Sequence, residues 1–485
     1  MASNSRNQKL FLKKYYSSKI YLWEWLAVAA VVLLTMLSFS HIDIKTVTIW
    51  STNLWDVIAE GKPFSFYEYT AKNEHLVAPQ YMGLDIFAIL PLWLWNLPIW
   101  IIQHTTGKDI AYSAGLLAWS KLGLELCNLV LAFLAYKMSF LITKDKERSA
   151  WASIMTVGSS ACLICVGVVG QIDVFAAVYA ALCVYFMMKG KRKLSILFAA
   201  LSIAVKPLFA FAFLPILLLV EKNLLIALLQ YIISFSLLGL DHLIGRFLPL
   251  YKESVAANPP FKLFYDLFNV GIEAPYGKSS LFVFGVLAFC FIFCFTKPES
   301  DDERNKFLIY IPAGVFMMMC SLGKTDYYSG IMIMPYLPVL IVINTHLFRL
   351  DLVLMFCYQF FHSMEIFAGV KESLSGRYTV DSFLEKFIKP REFSQHKDNT
   401  FRDFVLGMDP NGYISKFLIN ACSGAVIVAI VLILVLNYPR FKHKFDMGEK
   451  AEFEKYDHGL LMINSLVFLP FLLVLFKLYL TQKAA

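Results

Sequence analysis

Charged residues are sparse in this chain: Asp, Glu, Lys and Arg make up 16% of its 485 residues, while 58% are apolar and the mean hydropathy is +0.60. That balance excludes an ordinary soluble domain, because several apolar runs reach the roughly 20 residues that cross a bilayer as a helix. Glycine-rich phosphate loops are missing, as are His or Cys pairs at metal-ligand spacing, solenoid repeats and low-complexity tracts. The nine cysteines (127, 162, 165, 183, 290, 294, 320, 357 and 422) all fall in or beside apolar runs, which argues against a disulfide framework or a zinc site. No small-residue cleavage site follows the first apolar run, so it reads as a retained span. The fold class expected is an all-α polytopic membrane protein.

What charge there is marks topology. The net +8 sits mainly in short loops between apolar runs, the pattern of cytoplasmic loops, and does not call for nucleic acid. Arg6, Lys9, Lys13, Lys14 and Lys19 place a basic tail, 1–21, in the cytoplasm, which sends the run 22–39 outward and leaves Asp43 outside. A full crossing by 84–102 would expose the basic turns 144–148 and 189–193 to the outside. This run, with Pro91, Pro98 and three tryptophans, is therefore read as lying along or dipping into the outer face. The further runs are 111–142, 151–168, 172–188, 194–206, 209–220, 224–240, 281–295, 307–322, 331–343, 352–370, 417–436 and 460–480. Roughly 11–14 transmembrane helices are expected, with juxtamembrane helices on the outer face in the first outer loop and a long outer loop opening at Asp241.

Polar groups interrupt this pattern in a few places. Asp43 stands about one turn beyond the first apolar run, where a carboxylate is partly desolvated and still reaches a polar substrate. That position suits a base, with Asp56 in reserve, and it equally suits an interfacial helix cap. In 169–175, Gln171 and Asp173 can bond sugar hydroxyls and Gly170 permits close backbone approach, or the stretch is a plain polar turn. Lys206, followed by Pro207, lies within about 25 apolar residues, so it either meets an anion such as a phosphate or snorkels to the outer interface. Lys324 and Arg246 are further phosphate candidates. Tyr327 and Tyr328 either stack on a sugar or belong to an interfacial aromatic belt. His41 joins Gln171, Asp173, Tyr327 and Tyr328 as a candidate contact for sugar or acceptor. Under the topology above, Asp43, Gln171, Asp173, Lys206, Arg246 and Lys324 all reach one face.

In order along the chain, Asp43, the stretch 55–64, Gly170 to Asp173, the basic turn 189–193, Val205-Lys-Pro207, 214–218 and 327–335 resemble the GT-C superfamily of membrane glycosyltransferases. The order is similar to its bacterial branch that uses polyprenyl-phosphate-mannose, over residues 20–345. The resemblance implies a GT-C-like catalytic module at 22–345 and a C-terminal transmembrane region at 346–485 with a polar loop at 371–416. It further implies inverting transfer of a hexose, mannose favoured, from a polyprenyl-phosphate donor to a glycolipid or cell-envelope glycan. The setting would be the outer face of a bacterial cytoplasmic membrane. In that superfamily an acidic residue of the first outer loop is the general base, and Asp43 is the matching position. Ile44 stands where a second acid is frequent, which suits metal-independent transfer, so neither a cofactor nor a divalent metal is expected. The partners expected are membrane lipids, the lipid-linked donor and the acceptor. Two competing functions use the same polar residues: a lipid-linked sugar flippase or transporter, and a non-catalytic protein of envelope assembly.

Overall fold

The computed structural model describes residues 20–39, 41–73, 86–107, 113–257, 260–275, 277–344, 347–369, 413–440 and 455–474. Nearly all of the basic tail, most of the polar loop 371–416 and the end of the last apolar run lie outside the described residues. In an apolar medium, peptide groups find partners only within helices or closed sheets, and helix is what most of the described chain forms. The first half comprises α1 (Leu22–Ser38), α2 (Ile42–Ala59), α3 (Phe66–Asn73), α4 (Ile86–Thr106), α5 (Ala114–Thr143), α6 (Lys146–Val157), α7 (Ser160–Val169), α8 (Asp173–Met188) and α9 (Arg192–Val205). The second comprises α10 (Phe209–Val220), α11 (Leu224–Ile233), α12 (Ser236–Gly245), α13 (Tyr251–Ala257), α14 (Pro260–Phe268), α15 (Leu281–Phe295), α16 (Asp301–Leu322), α17 (Leu337–Ile343), α18 (Phe348–Gly369), α19 (Tyr413–Leu436) and α20 (Lys455–Ser465). A small antiparallel ribbon, β1 (Gly271–Ala274) with β2 (Gly277–Ser280), precedes α15 and pairs Gly271 with Ser280.

Five of these helical stretches are long and apolar enough to cross a membrane: Gly115–Thr143, Leu224–Gly245, Asp301–Leu322, Phe348–Phe367 and Lys416–Leu436. Two bent pairs, α1 with α2 at 73° and α6 with α7 at 40°, raise that number to seven if each is one broken span. Shorter apolar helices account for the runs Asp173–Met188, Phe209–Val220, Leu281–Phe295 and Tyr327–Ile343. The protein is therefore a helical, membrane-embedded one. α11 and α15 leave one apolar face open (Leu225, Leu229, Phe284, Leu287 and Phe291), as lipid-facing helices do, whereas α8 and α16 are buried on nearly every side.

Loop residues set several helix starts by capping free N–H groups. Asp145 accepts from Glu147 and Arg148 ahead of α6, Asn223 from Leu225 and Ile226 ahead of α11, and Ser300 from Glu303 ahead of α16. Two boundaries differ from the expectation. The run 151–168 is two helices, because Gly158 and Ser159 break it; Ser159 then caps Cys162, and the freed N–H of Ser160 donates to the buried Gln359 of α18 (3.0 Å). The run 224–240 continues to Gly245, so Asp241 lies buried inside α12 and does not open a loop. The stretch after the first apolar run holds the 18-residue α2, a short 3-10 turn (Pro63–Ser65) and α3.

Gly158 marks a close approach of helices: a Cβ there would lie 2.3 Å from the Ser465 carbonyl oxygen and 3.1 Å from Val28. Gly158→Val is expected to force α6 away from the last helix at a cost of about 2–4 kcal/mol, measurable as a lowered thermal unfolding midpoint of the detergent-purified protein.

Candidate functional site: a polar cluster where helix ends meet

Four breaks in the helical pattern converge. At the first, His41 caps α2 by accepting the main-chain N–H of Asp43 at Nδ1 (3.1 Å). With Nδ1 so occupied, a neutral ring carries its proton on Nε2, which faces the Tyr327 hydroxyl at 3.4 Å. Asp43 itself lies in the first turn of α2, where the helix dipole favours a carboxylate. Its Oδ2 accepts a hydrogen bond from the Gln171 side-chain amide, and its Oδ1 lies 3.4 Å from His41 Nδ1. The Asp43 side chain keeps 28% of its surface open, against 6% for Asp173.

Gln171 is delivered by the second break. The π-helical stretch of α7 (Leu163–Val169) ends on Gly170 at φ +72°, a left-handed conformation that glycine adopts freely. A Cβ on Gly170 would also fall 2.7 Å from Ile44 Cβ, so the glycine lets this turn press against α2 beside Asp43. Two residues on, Asp173 opens α8 and pairs with Lys206, the residue that ends α9. Lys206 Nζ also donates to Ser329 Oγ (3.2 Å), reaches Asp326 at 3.4 Å and stands 4.9 Å above the Tyr328 ring. Asp326, Tyr327, Tyr328 and Ser329 belong to the fourth break, the 3-10 turn Tyr327–Met332 and the residue before it.

His41, Asp43, Gln171, Asp173, Lys206, Tyr327 and Tyr328 are thus brought together, across as many as 286 positions of sequence. Lys206 is not the unpaired cation that a phosphate role or a snorkelling lysine requires: its ammonium is answered inside the protein by Asp173, Asp326 and Ser329. The other two phosphate candidates are not paired into the cluster. Lys324 is exposed and faces Asp266 at 3.8 Å, and Arg246 is exposed at the end of α12 with no side-chain hydrogen bond or ion pair among the described residues. Asp56 lies 13 residues along α2 from Asp43, about 20 Å away at 1.5 Å per residue. It accepts from Trp100 Nε1 (2.8 Å) and the Tyr69 hydroxyl (3.1 Å), with His104 at 3.3 Å, so as a reserve base it is already engaged. Burial, then the Asp56 carboxylate, pushes the Tyr69 phenol up to about 12, which keeps it a donor. Among the described residues no group of three His, Cys, Asp or Glu side chains is placed to hold a metal ion.

Three contributors were not singled out from sequence. Asp326 and Ser329 sit inside the polar turn 321–330, where the tyrosines and Lys324 drew attention first. The third is Lys121, fully buried in α5, whose ammonium donates to the carbonyls of Phe39 (2.5 Å), Gly167 (2.7 Å) and Met36 (3.4 Å). It ties the end of α1 to α7, immediately before the two segments that carry His41, Asp43 and Gln171. Its sequence signal was a lysine well inside the long apolar run 111–142, a default functional candidate. Behind it, buried Thr48, Ser120, Asn96 and Ser51 form a chain of hydrogen bonds of 2.9, 3.0 and 3.3 Å that fixes α2 against α4 and α5.

Comparison with protein-family models, with curated proteins and with solved structures finds no match to this chain.

Two stability experiments follow from the buried lysines. Lys121→Met removes the donor to three buried carbonyls and is expected to cost about 2–4 kcal/mol, read as a lower unfolding midpoint and a broken Asp43–Gln171 contact. Lys206→Met alone is expected to destabilise by about 3–5 kcal/mol by stranding Asp173, while adding Asp173→Asn recovers most of the loss. A single variant as stable as the parent would show that the pair is not needed to hold α8 on α9.

Proposed function

We propose that this protein is an integral-membrane glycosyltransferase of GT-C-like architecture, moving a hexose from a polyprenyl-phosphate donor to a hydroxyl of a glycolipid or cell-envelope glycan. Its apolar runs would make 11–14 crossings in a bacterial cytoplasmic membrane, with the polar cluster on the outer face. The observation that supports this reading most is the setting of Asp43. It is a partly open carboxylate at a helix start, oriented by Gln171 and flanked by the His41–Tyr327 pair, in a chain with no soluble nucleotide-binding loop. An activated sugar would then come from the lipid.

In this mechanism Asp43 accepts the proton of the acceptor hydroxyl as its oxygen attacks the anomeric carbon. The bond to the carrier phosphate breaks on the opposite face, giving inversion. Gln171 holds the carboxylate in place, and Tyr327, Tyr328 and His41 supply hydrogen bonds and ring faces for sugar hydroxyls. Because Lys206 is neutralised by Asp173, its part is to fix the floor of the site, and the leaving phosphate is met by exposed cations such as Lys324 and Arg246 as the lipid enters.

The test uses protein purified into lipid, a panel of radiolabelled polyprenyl-phosphate sugars and an extracytoplasmic glycolipid extract. Asp43→Asn should lower transfer by about 10²–10⁴-fold with donor binding nearly unchanged. Transfer at the parent rate in Asp43→Asn removes Asp43 as base. Donor binding without transfer by the parent would favour the flippase or transporter.

A further inference from the structure

The far end of α8 carries a charge arrangement that the polar cluster does not use. The corner between α8 and α9, residues 189–191, begins 16 residues along α8 from Asp173, about 24 Å away. Main chain alone closes this corner. The carbonyls of Tyr185, Phe186 and Met187 accept from the N–H groups of Lys189 (3.1 Å), Lys191 (2.9 Å) and Gly190 (3.0 Å), and Gly190 takes the left-handed φ of +71° that such a helix ending requires. The lysine side chains are therefore not needed to finish the helix, in contrast with Lys121, whose ammonium meets buried carbonyls.

Four cations crowd the corner: Lys189, Lys191, Arg192 and Lys193. Arg192 is committed inside the protein, its Nη1 to Glu221 (2.9 Å) and its Nε to Gln230 of α11 (2.9 Å). The three lysines are exposed and form no ion pair among the described residues, and Lys189 stands 5.8 Å from the centre of the Tyr185 ring. Elsewhere exposed cations find acids, as Lys306 finds Asp302 (2.7 Å) and Arg304 finds Asp301 (2.9 Å). Here three positive charges are left unanswered on Cα atoms no more than about 14 Å apart even in a fully extended chain. Open apolar surface adjoins them. Leu194 and Leu197 are exposed one turn beyond Lys191 and Lys193 on the same faces of α9. On α11, Ile226 and Ile233 lie one turn to either side of Gln230, and both are exposed.

We propose that this corner is a binding surface for an anionic phospholipid of the surrounding membrane, with the lipid phosphate held by Lys189, Lys191 and Lys193 and an acyl chain lying along Leu194 and Leu197. Charge complementarity selects the headgroup, because lysines near a membrane surface attract acidic lipids and leave a zwitterionic headgroup without a net partner. The leucines select a lipid over a free anion, which would gain nothing from them. The surface is independent of the transferase reading and lies at the opposite end of α8 from Asp43 and its neighbours.

The experiment follows thermal unfolding of the full-length protein in detergent micelles titrated with phosphatidylglycerol or with phosphatidylcholine of the same acyl chains. Phosphatidylglycerol is expected to raise the midpoint saturably, as a ligand of the folded state does, and phosphatidylcholine to leave it nearly unchanged. The variant carrying Lys189→Gln, Lys191→Gln and Lys193→Gln loses no ion pair, so its midpoint without lipid should match the parent, while the phosphatidylglycerol needed for half the rise increases about a hundredfold. Lys144→Gln with Lys146→Gln, in the other basic turn, should keep the parental response. Equal rises with both lipids, or an unchanged titration in the triple variant, overturn the proposal. An equal loss in the Lys144 and Lys146 variant would show diffuse attraction to any basic turn in place of a site. Displacement of the lipid by soluble glycerol phosphate would make this a plain anion site and would remove the lipid.

Discussion

Helices that start or stop inside an apolar bundle must have their terminal peptide groups and dipoles answered from within, and that constraint organises this molecule. Lysines answer the carbonyl ends. Lys121 donates to the last carbonyls of α1 and to Gly167, and Lys222 does the same for Leu218 at the end of α10 and for Phe293 and Cys294 at the end of α15. Carboxylates answer the amide ends: Asp43 opens α2 and Asp173 opens α8. Lys206, closing α9, meets Asp173 at the start of α8, so a helix C-terminus and a helix N-terminus neutralise each other through their side chains.

The same rule shapes the chemistry available. Two carboxylates, Asp173 and Asp326, flank one ammonium, that of Lys206, and the ammonium is committed to the more buried of them. Asp43 is left with an amide and an imidazole as neighbours instead of a lysine, so its charge is oriented without being neutralised.

Much of this was legible in the sequence. The runs 209–220 and 281–295 became α10 and α15 with the same limits, because each is bounded by residues that stop or cap a helix. Asp43, Gln171, Asp173, Lys206, Arg246 and Lys324 were expected on one face, since each interrupts an apolar run and the charged loops fix which ends share a face; the first four meet in the cluster, while Lys324 and Arg246 are not paired into it. What stayed hidden depends on main chain or on packing. Lys121 has no acidic partner for a reader to find, because its partners are carbonyls that every residue possesses. The break at Gly158 leaves the local hydropathy almost unchanged, and one of the N–H groups it frees is met by Gln359, 199 positions away. The pairing of Lys206 with Asp173, 33 positions away, could not be told from a lysine awaiting an anion.

Several helices around the cluster are short. α10 has 12 residues, a length of about 18 Å, and α15 has 15, about 22 Å, against a hydrocarbon thickness of about 30 Å. α10 is covered by its neighbours, whereas α15 leaves Phe284, Leu287 and Phe291 open, and a bilayer meeting that face would have to thin to match so short a helix. A membrane of longer acyl chains would then press on α15, which packs against α10, and α10 begins three residues after Lys206 of the polar cluster.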